Sequence, residues 1–132
     1  MVQRGGDVVM RMLPDVGRET IDPLIELFVE QGSVVNTDEY GIYSHLSASG
    51  YTHKTVCHSH EEYARDDDGD GSREVHVNTI EGIWSLLCLW LSVHRGISQE
   101  KLPSYIAFFQ FVHNSRKRGE ALFQTLLDLL LA

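Results

Sequence analysis

The sequence feature that most constrains the fold is a hydrophobic segment that begins at Asn78 and is predicted to be helical to about His94. Its apolar residues do not keep to one side of the helix. One stripe consists of Ile80, Ile83, Trp84, Leu87 and Leu91, whereas other sides carry Leu86, Leu89, Trp90 and Val93. Since a helix that is apolar all round has to be buried, we expect other parts of the protein, or a partner, to cover it.

Length and composition are those of one globular domain. The chain has 132 residues, of which 42% are hydrophobic and 23% are charged, close to the average for folded proteins. The N-terminus lacks the apolar core of a signal peptide, and no apolar stretch reaches the ~20 residues that span a bilayer. The cysteines Cys57 and Cys88 form no disulfide framework, which is typical of a reducing compartment. We therefore expect a cytoplasmic protein without a membrane segment.

Short β-prone runs alternate with helical patterns in the first half of the chain. A helix is predicted at residues 20–31, with Pro23 in its first turn and Gly32 just past its end, where each residue type is favoured. Strands are predicted at residues 7–13, 33–36 and 54–58, and a short helix at residues 40–46. This alternation predicts an α/β layer architecture.

The second half divides into an acidic loop at residues 59–74 and a helical C-terminal part at residues 78–131. After the helix that begins at Asn78, two further helices are predicted, at residues 103–113 and 118–131. The formal net charge of the chain is −8, which argues against a free-standing DNA-binding module. The basic run Arg116-Lys117-Arg118 still allows a local basic patch.

Two carboxylates occupy positions at which α/β proteins bind metal ions. Asp38 follows the strand predicted at residues 33–36, and ligand sites form at such carboxyl ends. Glu81 lies in the first turn of the helix that begins at Asn78. Two such carboxylates and a third ligand can hold a pair of Mg²⁺ ions roughly 3.5–4 Å apart for in-line phosphoryl displacement. Magnesium prefers oxygen ligands, so carboxylates are the expected residue type.

The same residues also have a purely structural interpretation. Asn78-Thr79-Ile80-Glu81 has the form of a capping box, in which Asn78 caps the helix and Glu81 reaches back to its free N–H groups. A lone aspartate such as Asp38 is more often a turn or cap residue than a metal ligand. On spacing alone, capping is the more common role for Glu81, and both interpretations stay open.

A second candidate metal site is the acidic loop. Four of its residues match positions 1, 3, 5 and 6 of a calcium-binding EF-hand loop, namely Asp66, Asp68, Asp70 and Gly71. Position 12 is Val77, where an EF-hand needs a bidentate glutamate, and no amphipathic helix leads into the loop. A solvated acidic loop is therefore the default interpretation.

A third candidate is a zinc site built from His53, Cys57, His58, His60 and His76. Neighbouring residues of a strand point to opposite faces, so Cys57 and His58 do not easily share one ion. A cysteine such as Cys57 is more commonly a small buried hydrophobic residue.

A succession of motifs resembles a known family. Residues 75–118 contain H-x-N-x-x-E-x-x-W-S, then H-R-G-I-S, then L-P-x-Y and finally F-x-x-N-x-R. Upstream, NTDEYGIY and GYTHKTVCH resemble a TDxxxxY strand end and an H-xx-V-x-H strand. The chain resembles the C-terminal part of an ISXO-like insertion-sequence DDE transposase domain, over residues 5–127 and in the same motif order.

The resemblance implies an RNase H-like, integrase-type mixed sheet, here incomplete, followed by C-terminal helices, as one partial catalytic domain over residues 1–132. It implies cleavage and strand transfer at insertion-sequence ends, in which water and then a 3′-hydroxyl attacks a phosphodiester between two Mg²⁺ or Mn²⁺ ions. The partners it implies are terminal-repeat DNA and further copies of the same protein in a homo-oligomer.

The family's Asp-Asp-Glu set maps onto this chain in part. Asp38 corresponds to the second aspartate and Glu81 to the third acid, while Asn78 is a rival because some members of the wider group have asparagine there. His76 and Trp84 match family positions near the site without an assigned step.

The departures from the family pattern concern the first aspartate and one basic residue. That aspartate belongs on a strand before the segment that matches residues 1–13, and Asp7 opens the third strand instead. Cys88 stands where most members carry Lys or Arg. We therefore expect the chain alone to be inactive and, because a central strand is missing, to expose strand edges and be poorly soluble. The alternative is an interaction partner or inhibitor of a full-length transposase.

Overall fold

A computed structural model describes residues 1–57, 64–116, 119 and 121–131. In chain order its elements are α1 (Arg18–Phe28), β1 (Val34–Thr37), a 3-10 turn (Gly41–Tyr43), β2 (Thr52–Thr55), β3 (Ala64–Arg65), β4 (Val75–His76), α2 (Asn78–Ser92), α3 (Leu102–Ser115) and α4 (Ala121–Leu131). They form two compact units. We call residues 13–82 the sheet unit, and residues 1–12 together with the chain from Ile83 onward the helical unit. The predicted α/β class and the helical C-terminal part are confirmed.

In the part of the sheet unit that the structure describes, the strands form two small sheets, whereas a single mixed sheet was expected. Strands β1 and β2 pair in parallel, with Val34 opposite Thr52 and Thr37 opposite Thr55. Strands β3 and β4 are antiparallel and only two residues long. Strand β4 also lies in contact with β1 and β2. Helix α1 covers this unit through a core of Ile25, Leu46 and Tyr51.

Helix α1 begins earlier than its hydrophobic periodicity predicts. The Asp15 carboxylate accepts hydrogen bonds from the Gly17 N–H and the Thr20 hydroxyl, both at 2.7 Å. The carbonyl of Gly17 then accepts the N–H groups of Thr20 and Ile21. These bonds start the helix at Arg18, so Pro23 lies in its second turn and not in its first.

The strand predicted at residues 7–13 is wrong. Only an isolated antiparallel bridge joins Val2 to Val8 in this part of the chain. The backbone N–H groups of Val8 and Met10 donate to the side chains of Asn114 and Gln110, both at 2.8 Å. Side-chain amides of α3 therefore occupy the hydrogen-bonding positions that a neighbouring strand would take.

The helical unit buries α2 only partly. Ile83 and Leu87 are the buried residues of α2, whereas Trp84 is 63% exposed. The ring of Trp90 contacts three rings of α3, those of Tyr105, Phe108 and Phe109, with centroid distances of 5.7–6.2 Å. The described residues of the chain therefore cover α2 only in part, and cover of its exposed side chains by a partner stays a prediction. Among the described residues, no helix has the length and apolarity needed to cross a membrane.

Candidate metal-binding carboxylates

Asp38 lies at the carboxyl end of β1, as the sequence predicts. Its side chain is exposed, and one carboxylate oxygen, Oδ1, accepts the N–H of Tyr40 at 3.2 Å. The hydroxyl of Thr37 donates to the Asp38 carbonyl at 2.8 Å. Burial raises the pKa of the Tyr43 hydroxyl, and the nearby charges of Asp38 and Tyr40 raise it further. Asp38 therefore both shapes the turn after β1 and offers a carboxylate to solvent.

Glu81 lies in the first turn of α2 and is exposed. The carbonyl of the buried residue Val77 accepts the N–H groups of Ile80, at 3.1 Å, and of Glu81, at 3.2 Å. Val77, and not Asn78, is thus the residue whose carbonyl accepts the first hydrogen bonds of the helix. Asn78 is the first helical residue, so the structure does not form the capping box with Asn78 as its cap.

Both carboxylates belong to the sheet unit. Asp38 directly follows β1, Glu81 follows β4 after a short interval, and β1 and β4 are in contact. Exposed carboxylate oxygens are hard donors of the kind that Mg²⁺ and Mn²⁺ prefer. The donor chemistry of this pair therefore fits the metal ions that the sequence resemblance implies.

A different group of carboxylates is brought together in the acidic loop. Oxygens of Asp66, Asp68 and Glu74 all lie within 4.8 Å of one another. The Asp66 carboxylate accepts the N–H groups of Gly69, at 2.6 Å, and Gly71, at 2.9 Å. These two bonds, that from Gly71 first, lower the pKa of Asp66. The EF-hand match did not include Glu74, although it occupies the ninth position of that pattern.

Basic side chains already compensate part of this negative charge. Lys54 lies 2.9 Å from the Asp67 carboxylate and 3.6 Å from that of Glu74, and Arg65 lies 2.6 Å from Asp67. The hydrogen bond from Arg65, followed by that from Lys54, lowers the pKa of Asp67. These ion pairs link the loop to β2 and β3, which is a structural role for its acidic residues.

The predicted zinc ligands are not gathered among the described residues. The ring of His53 bonds the Thr37 hydroxyl at 2.8 Å, whereas the thiol of half-buried Cys57 donates to Glu39 at 2.6 Å. Burial, and then the charge of His45, lowers the pKa of His53. Two of the other predicted ligands, His58 and His60, lie outside the described residues.

Comparison with known proteins identifies the family of this chain. The family model of the ISXO2-like transposase domain matches residues 1–114. The chain belongs to this family. An uncharacterized protein in transposable element ISH50 of Halobacterium salinarum is 35% identical over 104 residues, which are 77% of this chain and 33% of that protein. The chain thus spans about a third of the length of this relative. No solved structure matches.

The matched region of the ISXO2-like transposase family includes every residue of the predicted site. Asp38, Asn78 and Glu81 all lie within residues 1–114. The match ends in the last turn of α3 and excludes α4, although the motif resemblance was expected to continue to residue 127. The predicted family and its insertion-sequence context are confirmed.

Proposed function

We propose that this chain is part of a DDE-type catalytic domain that cleaves and transfers DNA strands at insertion-sequence ends. In this proposal the domain has an RNase H-like fold, and Asp38 and Glu81 are two of its metal-binding carboxylates. The observation that carries the proposal is their placement within the family match, one directly after β1 and the other in the first turn of α2.

Each residue then has a role that follows from its position. Asp38 holds a metal ion from the strand end with the oxygen that does not accept the Tyr40 N–H. Glu81 approaches from the helix start. Asn78 stands three residues before Glu81, so the two are neighbours on one helix face and either can supply the third ligand. When bound, Mg²⁺ or Mn²⁺ ions activate the attacking oxygen and stabilise the leaving oxygen of the phosphodiester.

The 132 residues contain two of the three acids that this chemistry uses. We therefore propose that the chain by itself does not cleave DNA, since two carboxylates do not complete a two-metal site. The substrate we propose for the whole protein is terminal-repeat DNA, and we propose that it acts as a homo-oligomer.

Paramagnetic Mn²⁺ added to the isotope-labelled chain tests the ligand assignment without requiring activity. We expect amide signals next to Asp38 and in the first turn of α2 to broaden together at the same Mn²⁺ concentration. Asp38→Ala and Glu81→Gln should each remove both effects. Asn78→Ala should leave them in place if Glu81 is the third ligand, and should remove them if Asn78 is. Asp66→Asn is the matched control and should alter broadening only in the acidic loop. Broadening confined to the acidic loop in the unaltered chain would contradict the assignment.

An activity test requires an intact transposase that contains this sequence. Nicking of terminal-repeat DNA in Mg²⁺ or Mn²⁺ should disappear in Asp38→Ala and Glu81→Gln and persist in Asp66→Asn. Undiminished nicking in either of the first two variants would show that the residue does not take part in the chemistry.

A second candidate function is that of an interaction partner that inhibits a full-length transposase. The apolar residues that α2, α3 and α4 leave exposed favour it, because such surfaces mark interaction sites. A pull-down with an intact ISXO2-like transposase tests it, and failure to retain that protein would remove this candidate.

A further inference from the structure

An apolar groove of about 340 Å³ runs between α2 and α3 in the helical unit. We call it the α2–α3 groove. Its first wall includes Leu86 and Leu89 of α2 and Val93 directly after that helix, and its second wall includes Phe108 and His113 of α3 and Arg116 directly after it. Leu89 and Val93 are each 67% exposed. Leu89 lies in α2 and Val93 directly after its end, four residues apart, so the two form one open stripe at the C-terminal end of this helix.

Helix α4 presents the matching apolar surface. None of its eleven residues is buried, and no residue of α4 lines the α2–α3 groove. Phe123, Leu126 and Leu130 repeat at helical spacing, and Phe123 is 69% exposed. An apolar helix of this composition requires a hydrophobic surface to cover it.

The charges of the two surfaces are complementary. Within the described residues, the ionisable groups that line the groove are His113 and Arg116, and Lys117 and Arg118 follow them in the sequence. Helix α4 has no basic residue, and its one acid is Asp128. A groove with only basic groups and a helix with only an acidic one attract each other, whereas two grooves or two α4 helices would place like charges together.

We propose that the α2–α3 groove binds α4 of a second copy of this chain and that reciprocal docking forms a twofold-symmetric dimer. When a twofold axis relates the two copies, the groove and the helix of each copy are both occupied, so the assembly closes at two copies. The lining of the groove from Leu86 to Val93 spans about 10 Å at a rise of ~1.5 Å per residue, and the exposed stripe of α4 from Phe123 to Leu130 spans the same distance. The proposal does not depend on the catalytic role of Asp38 or Glu81.

The mass of the 132-residue chain in solution tests the dimer. Multi-angle light scattering after gel filtration should give twice the chain mass of 15.0 kDa. Leu89→Glu in the groove and Phe123→Glu on α4 should each raise the dimer dissociation constant at least about tenfold, because each places a charge in an apolar contact. Leu27→Glu is the matched control, since Leu27 is 71% exposed on α1 in the sheet unit, and it should leave the dimer unchanged.

Mixing the two disrupted variants gives the sharpest result. The Leu89→Glu chain keeps an intact α4, and the Phe123→Glu chain keeps an intact groove. The mixture should therefore form a dimer with one docked helix, although each variant alone is monomeric. Arg116→Glu should also weaken the dimer, and adding Asp128→Arg should restore it.

Several results would overturn the proposal. They are a monomeric unaltered chain, a mass that keeps rising above two copies with concentration, and dimers that survive both glutamate substitutions. Failure of the mixed variants to associate would also overturn it. Circular dichroism of each variant establishes that its helices are intact. Arg116→Glu changes an exposed residue, so it tests the interface without altering the apolar side chains.

Discussion

The strongest stability prediction concerns Asn114, the asparagine of the closing F-x-x-N-x-R motif. Its side-chain amide pairs with both backbone groups of Val8. The Val8 N–H donates to Asn114 Oδ1 at 2.8 Å, and Asn114 Nδ2 donates to the Val8 carbonyl at 3.0 Å. Val8 is fully buried. The amide therefore ties the N-terminal segment to α3 in the way that a neighbouring strand would.

The substitution Asn114→Ala should lower the free energy of unfolding by about 2–4 kcal/mol. Each hydrogen bond contributes about 1 kcal/mol net, and each backbone group left buried without a partner costs about 1–3 kcal/mol. Two such groups give about 2–6 kcal/mol, and the expected loss lies in the lower part of this range because the Asn114 side of the contact is only half-buried. Gln110→Ala removes one bond, to the Met10 N–H, and should cost about 1 kcal/mol.

Urea unfolding measures these differences in the free energy of unfolding, provided that its slope against urea concentration is the same for every variant. Gln124→Ala is the matched control, because the exposed Gln124 amide bonds Asp128 on its own helix, a contact of about 0.2–0.5 kcal/mol. Hydrogen exchange should show the Val8 amide protected in the unaltered chain and unprotected in Asn114→Ala. The reasoning is refuted if Asn114→Ala costs no more than Gln124→Ala, or if the Val8 amide stays protected.

The remaining predictions concern the sheet unit. Gly32→Ala should lower stability by about 1–2 kcal/mol, since φ at Gly32 is +84°, whereas Gly41→Ala should change it by less than about 0.5 kcal/mol. Thermal unfolding of these two glycine variants measures the difference in stability. Because burial lowers the pKa of His53 below 6.5, neutral His53 stabilises the fold above pH 6.5, and that contribution is lost as the pH falls from 6.5 through the folded-state pKa. His53→Gln should flatten this part of the stability profile, and a titration of the His53 ring above 6.5 by NMR would contradict it. Lys54→Met should move the pKa of Asp67 part of the way back to 3.8, since Arg65 remains beside it, which a carboxyl NMR titration measures.

Local sequence patterns predicted most of the elements, because their causes lie within a few residues of each other. The periodicity of residues 20–31 located α1, the β-prone run at 33–36 located β1, and the position of Asp38 after that strand followed directly. The motif order predicted the family. The boundaries of α1 shifted because Asp15, outside the periodic segment, forms the bonds that start the helix.

Contacts between distant residues were not predictable in this way. The run at residues 7–13 has strand propensity, but residues more than 90 positions away supply its hydrogen-bond partners. Glu74 joins Asp66 and Asp68 because β4 returns beside β3, and the only local signal for this was the ninth position of the EF-hand pattern, which the sequence match left out.

The amino-acid sequence by itself determined the α/β class, the positions of the main helices and the transposase family, since these depend on hydrophobic spacing and on the order of short motifs. Tertiary structure alone decided which side chains satisfy the backbone of residues 8–10, which acids come together, and that α2 and α4 keep apolar faces exposed. The physical reason is that burial and hydrogen bonding between distant segments depend on where the chain returns, and two runs of equal hydrophobicity differ in exposure once neighbouring elements cover only one of them.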